Sequence, residues 1–326
     1  MAVEPKVFCM SVTPFKENGD FDAVGYAKHL ERLVESGTCV YFASPGSGEG
    51  HSLTHDELRT VYDVGVGVCK GKVETRANLP EARTVHELLQ TAYIAMDAGV
   101  DVIQIYTVDP GHGMIPNERE QEIFYRDALD AIDYPTGLAV NLLAGRYITP
   151  IGVLKRICDD YPQVVSINVL QPPSVYLAEL MDAVGPRVAY YTAAEMLPEG
   201  LTLGTQGCLT FYANVVPFLI HSIGRMHAAR DIDRCGTALR QLFRLAAALA
   251  QFAKANQMPQ WHARWQKPAM KILDLPGHGG GRMRHPYVDL MPGEVEQLAE
   301  VLRSIDVRGM ERDARELVTA ARLSAV

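Results

Sequence analysis

The sequence has no run of 18 uninterrupted apolar residues, no CxxC pair, no lysine–arginine cluster, and no HxH or HExxH spacing. Each absence excludes a class. A spanning helix needs about 20 consecutive apolar residues, so no membrane crossing is expected. The opening MAVEPKVFCM lacks the long apolar core of a secretion signal. Lysine and arginine number 31 against 39 acidic residues, a formal charge of −8, which argues against nucleic acid or an anionic membrane as partner. The six cysteines are scattered, and Cys9, Cys39 and Cys208 fall in apolar runs as buried thiols. That usage fits a reducing cytoplasm rather than a disulfide framework. Without metal-ligand spacing, Glu49, His51, Asp109, His112 and Glu195 are weak metal candidates, and neither a metal nor a cofactor is expected.

What is present is a globular composition, 48% apolar and 21% charged over 326 residues, enough for a full-sized core. Short runs rich in β-branched and aromatic residues predict strands near 6–12, 39–44, 73–78, 101–107, 136–141, 164–169, 188–192 and 207–211. Amphipathic helical segments alternate with them. Thr54-x-x-Glu57 and Thr84-x-x-Glu87 read as capping boxes, Asn117 as an N-cap, and Thr149-Pro150 as a cap followed by proline. Gly37, Gly71, Gly99, Gly185 and Gly204 stand where helices should stop. Strand–helix alternation without hairpin signals predicts an α/β fold, a (β/α)8 TIM barrel over residues 1–215. A doubly wound sheet is disfavoured because SVTPFKENG carries no GxGxxG after the first strand. Residues 216–326 read as C-terminal helices packed on the barrel in one structural unit.

In such a barrel, chemistry belongs to the carboxyl ends of the strands. The loop PGSGEG offers Gly46, Ser47, Gly48 and Glu49, either as an anion cradle or simply as a tight turn. Arg146 after strand five is a carboxylate clamp or a solvated arginine. Arg76 shares a strand face with Glu74, which favours a structural ion pair. His112 in DPGHG and Glu195 in TAAEM are acid/base candidates or exposed loop side chains. Strand six ends in Asn168 and strand five in Asn141. GHGGGRMRHP, residues 277–286, lacks the strand and the Lys-Ser/Thr of a phosphate loop and reads as a flexible connector.

VTPFKENGDFD with HLERLVESG, then PGSGEGHSLTHDEL, AMDAGVDVIQI, GCLTFYANVVP and RMRHPYVDLMPGE together resemble the dihydrodipicolinate synthase / N-acetylneuraminate lyase family over about residues 5–305. The resemblance implies a (β/α)8 barrel with C-terminal helices, a homo-oligomer (dimer or tetramer), and a small carboxylate substrate. It also implies a lysine imine with a 2-oxo acid. Here the strand-six motif reads Ile167-Asn168-Val169, so Asn168 replaces that lysine. The strand-five motif reads Val140-Asn141-Leu142-Leu143, so Val140 replaces the proton-shuttling tyrosine. None of the nine lysines is expected at the carboxyl end of strands two to eight. The expectation is a lyase of aldolase or hydro-lyase type running without an imine. In it Asn168 and Asn141 hydrogen-bond a carbonyl or oxyanion, Gly46, Ser47, Gly48, Glu49 and Arg146 hold the substrate, and His112 or Glu195 moves protons. The alternative is an inactive relative serving as a small-molecule-binding or regulatory protein.

Overall fold

The computed structural model describes residues 4–140, 147–170, 172–258 and 262–323. Eight parallel strands close into a barrel in sequence order: β1 (Lys6–Met10), β2 (Cys39–Phe42), β3 (Thr75–Asn78), β4 (Val102–Ile105), β5 (Thr136–Val140), β6 (Val164–Val169), β7 (Ala189–Ala193) and β8 (Gly207–Thr210). Strand β8 pairs back onto β1, Lys6 opposite Gly207 and Cys9 opposite Thr210. The helices between them are α1 (Ala23–Ser36), α2 (His55–Cys69), α3 (Val85–Ala98), α4 (Glu118–Ala131), α5 (Ile151–Asp160), α6 (Ser174–Val184) and α7 (Leu197–Leu203). Helix α8 (Pro217–Ala228) follows β8 and touches both α7 and α1, so it takes the eighth barrel position. The extension beyond it is α9 (Ile232–Ala255), α10 (His262–Ile272), α11 (Pro292–Ser304) and α12 (Val307–Leu323).

The helix boundaries follow local chemistry. Thr54 and Asn117 close full capping boxes with Glu57 and Glu120. Thr84 accepts from the Glu87 amide, but the Glu87 carboxylate takes the Arg83 amide instead of closing the box. Thr149 does not cap: α5 starts at Ile151 behind Pro150, and no side chain caps that helix. The five helix-stopping glycines all have positive φ, the conformation a side chain resists.

The apolar core lies mainly between strands and helices. Leu138, Val140, Ile103, Ile105 and Ile167 face outward into it and are buried. The C-terminal helices share a second cluster with α8 through Leu219, Leu242, Leu245 and Leu298. Inside the barrel, Phe8, Tyr41, Tyr191 and Leu209 form a small aromatic cluster, and polar side chains complete the filling. Gly137 is required there. A Cβ at that position would lie 2.7 Å from Gln104 Oε1 and 2.8 Å from Ser166 Oγ.

Residues 277–286 are not a flexible connector. Gly277, Gly279, Gly280 and Gly281 all have positive φ, and a Cβ at Gly279 would lie 2.6 Å from the Phe15 amide. The glycines let this strap lie flat against the β1 loop.

Candidate active site

Period-two alternation turns Tyr41, Arg76, Gln104, Ser166 and Asn168 inward from β2, β3, β4 and β6. They form one hydrogen-bonded network. Arg76 Nη1 donates to Tyr41 Oη at 3.0 Å and to Ser166 Oγ at 2.7 Å, while Nε donates to Glu74 Oε1 at 2.7 Å. Its guanidinium stacks over the Phe8 ring with the carbon 4.5 Å from the centroid. The expected Glu74–Arg76 ion pair is therefore present, and Lys6 reaches the same carboxylate. At 2% exposure Arg76 is acceptable only because its donors and its ring faces are answered.

Asn168 belongs to this network. Its Nδ2 donates to Tyr41 Oη at 2.9 Å and to Gln104 Oε1 at 2.8 Å. Tyr41 donates in turn to Gln104 Oε1 at 3.0 Å, and the Gln104 amide nitrogen faces Ile105 O at 3.4 Å. Burial pushes the Tyr41 phenol above its ordinary range, against the opposing pull of Arg76. The phenol stays protonated, with one proton given and two bonds accepted. Both hydrogens of the Asn168 amide are thus committed. Its Oδ1 is buried and has no partner among the described residues. This corrects the expected role: Asn168 presents an acceptor and cannot donate to an oxyanion.

Val140 is also corrected. It packs outward in the strand–helix core with Leu138, so it does not line the barrel interior. Asn141 and Arg146 lie outside the described residues.

The strand-two loop separates into two parts. Gly48 is pressed on backbone, its Cβ position 2.7 Å from the Ser44 amide, whereas Gly46 is exposed and open. Ser47 is buried and accepts from Gln266 Nε2 of α10 at 3.1 Å. Glu49 is fully buried in the left-handed conformation. One of its oxygens accepts from Lys267 Nζ and the other from the Arg284 amide at 3.1 Å. Lys267 also donates to Thr13 O at 3.2 Å and sits 4.6 Å from the Phe15 ring centroid. Burial pushes its ammonium below the usual lysine range, and Glu49 opposes that. Arg284 crosses the same ring and forks onto Glu57 at 2.5 and 2.6 Å. Lysine therefore does reach the strand-two loop, delivered by the C-terminal extension.

The remaining candidates are apart from one another. Glu195 is half-buried in a single turn after β7, near the Tyr212 phenol. Burial first, then this carboxylate, raises that phenol. His112 is exposed in the β4–α4 loop. No group of three or more His, Cys, Asp or Glu gathers in metal-binding fashion among the described residues. The residues missed were Tyr41, Gln104, Tyr212, Gln266 and Lys267. The first two carried a signal, since each is polar at an inward position of its strand.

A closed barrel with helices on its strands, a C-terminal helical layer and a polar network inside the barrel defines an α/β-barrel protein. The chain belongs to the dihydrodipicolinate synthetase family, whose pattern matches residues 5–305. It is 28% identical to a probable 5-dehydro-4-deoxyglucarate dehydratase of Acidovorax ebreus, over 90% of this chain and 93% of that one. It is 25% identical to a 4-hydroxy-tetrahydrodipicolinate synthase of Methanococcus aeolicus, over 86% and 91%. A family member from E. coli K12, solved in complex with pyruvate, superposes with a TM-score of 0.82 at 16% identity, covering 93% of this chain and 99% of that one.

Proposed function

We propose that the protein is a dihydrodipicolinate synthase-like lyase that acts on a small 2-oxo acid or related carboxylate without an imine intermediate. One observation carries the reading. The inward position at the end of β6 holds Asn168, whose nitrogen is an amide locked onto Tyr41 and Gln104 rather than a free amine. An amide nitrogen is not a nucleophile, and lysine is the usual Schiff-base group. Lys267, which reaches the strand-two loop, is fully buried and paired with Glu49.

The geometry supports these roles. Exposed Gly46 forms the open edge of the strand-two loop and, with the buried Ser47 hydroxyl behind it, receives the carboxylate. Glu195, coupled to Tyr212, moves a proton. Glu49 holds the loop through Lys267 and Arg284. Asn168 Oδ1, an unanswered buried acceptor, favours a ligand that brings a proton donor such as a hydroxyl. A hydroxylated 2-oxo acid fits, and dehydration of such a compound is in keeping with the likeness to dehydratases. His112 belongs to a loop where Met114 and Ile115 are exposed, a face suited to a second copy in an oligomer. Free, buried cysteines at all six positions accord with a cytoplasmic setting. The commitment of the Asn168 nitrogen and the Tyr41 hydroxyl to one another's network favours a second reading, a binding protein without turnover.

The test is borohydride reduction in the presence of pyruvate and a hydroxylated 2-oxo acid, followed by intact mass and peptide mapping. No adduct, together with turnover of a substrate panel, supports the proposal. No adduct and no turnover, with ligand bound, supports the second reading. A stable adduct on any lysine, Lys267 included, overturns the imine-free mechanism.

A further inference from the structure

We infer that Gln266, delivered by α10, is a positioning residue that turns the Ser47 hydroxyl into a dedicated donor toward a bound anion; this rests on the reading of the strand-two loop as a carboxylate site. The inference comes from following protons through a buried chain of amides that ends on Ser47.

The chain is anchored on backbone, which fixes each amide's direction. The Val12 amide donates to Asn214 Oδ1 at 3.1 Å. On its other side Asn214 Nδ2 faces Met10 O at 2.9 Å and Phe211 O at 3.0 Å. Rotating that amide by half a turn would set an N–H against an N–H and an oxygen against two carbonyls, so one orientation survives. Asn214 Nδ2 also points to Gln266 Oε1 at 2.8 Å, its two hydrogens shared among the three oxygens. Gln266 must then present its nitrogen to Ser47, and Nε2 lies 3.1 Å from Ser47 Oγ. Ser47 Oγ is an acceptor in that bond, so its own proton is directed elsewhere. Among the described residues no acceptor meets it, although Ser47 is only 2% exposed and Gln266 is fully buried.

The same polarity sets the tautomer of His29. Its Nε2 lies 2.9 Å from Asn214 Oδ1, an oxygen that can only accept, so Nε2 carries the hydrogen. Nδ1 has no partner. Burial and then Arg32 hold this imidazole neutral, its pKa lowered to about 3. The relay therefore joins β1, α1, the β8 loop and α10 to one hydroxyl, and it supplies no charge. A neutral, prepositioned donor beside the open Gly46 suits an anionic oxygen, which makes the stronger class of hydrogen bond.

The test compares Gln266→Glu, Ser47→Ala and their double variant. With the titration run at pH 8 to hold it ionised, glutamate keeps the size and still accepts from Asn214, while its second oxygen captures the Ser47 proton. Pyruvate affinity, measured by calorimetry, should fall about tenfold or more in Gln266→Glu, the factor for losing a hydrogen bond to a charged group. Ser47→Ala should fall similarly, and the double variant no further, because both changes remove one donor. Independent losses that multiply in the double variant overturn the inference, as does wild-type affinity in Gln266→Glu. Neutron diffraction from unliganded crystals of the unaltered protein decides the same point without a ligand or a variant. A Ser47 deuteron pointing away from Gln266 supports it, and one on the Ser47–Gln266 line overturns it. If the wild-type protein binds no 2-oxo acid, the carboxylate reading fails while the neutron map still judges the relay.

Discussion

Replacing Lys267 by methionine keeps most of the side-chain volume and deletes one charge from a buried pair. Lys267 and Glu49 are both 0% exposed, so the variant strands a carboxylate where water does not reach. Its other oxygen keeps only the Arg284 amide. Breaking such a pair costs about 3–5 kcal/mol. Urea unfolding followed by near-ultraviolet circular dichroism measures the loss. The double variant Lys267→Met with Glu49→Gln should recover about 2 kcal/mol or more relative to the sum of the single losses. A single-variant loss below about 1 kcal/mol would refute the assignment of this pair to loop anchoring. It would also reopen Lys267 as a reactive amine.

Three further changes probe the barrel interior and its surroundings. Asn168→Asp replaces two donors with acceptors facing Tyr41 and Gln104, and should cost about 2–4 kcal/mol in urea unfolding; unchanged stability would remove the network's stated polarity. Gly137→Ala places a Cβ 2.7 Å from Gln104 Oε1 and should cost about 1–3 kcal/mol, with a neutral result showing that the polar side chains move aside. His29 has its folded pKa lowered to about 3 by burial and Arg32. The stability it contributes is full above an unfolded pKa near 6.5 and is lost as the pH falls toward 3, about 3 kcal/mol by pH 4. His29→Gln should flatten that acid limb, and a retained slope would assign the loss elsewhere.

Much of the architecture was legible because it depends on local periodicity. Strand β6 runs Val164–Val169, as read from its β-branched residues, and the other strands differ only at their ends. Strand β2 stops at Phe42 rather than 44 because Ala43 takes positive φ and begins the turn. Inward register was equally readable, and it brings Arg76, Gln104 and Asn168 together. The sign of Asn168's role was not readable. It depends on which amide atom its neighbours occupy, and those neighbours lie 64 and 127 positions away in the chain. Val140 misled for a related reason: correspondence of motif letters does not state which face of the strand a residue occupies.

The C-terminal helices show where sequence period stops being informative. Nothing in WQKPAMKIL says that Gln266 and Lys267 leave their helix toward a loop more than 200 residues earlier. Yet adjacent residues on that helix serve the strand-two loop in different ways. Lys267 neutralises Glu49 and fixes the loop's packed half. Gln266 extends a chain of neutral amides to Ser47 at its open half. Charge is spent on holding the loop, and hydrogen-bond direction is reserved for the edge a ligand would meet. Shortening α10 by deletion would therefore disturb packing and recognition together, whereas Ser47→Ala, which removes the end of the relay, and Lys267→Met should separate them: one mainly in ligand affinity, the other in urea midpoint. If both changes moved the same observable by the same factor, the division of labour between these neighbours would be wrong.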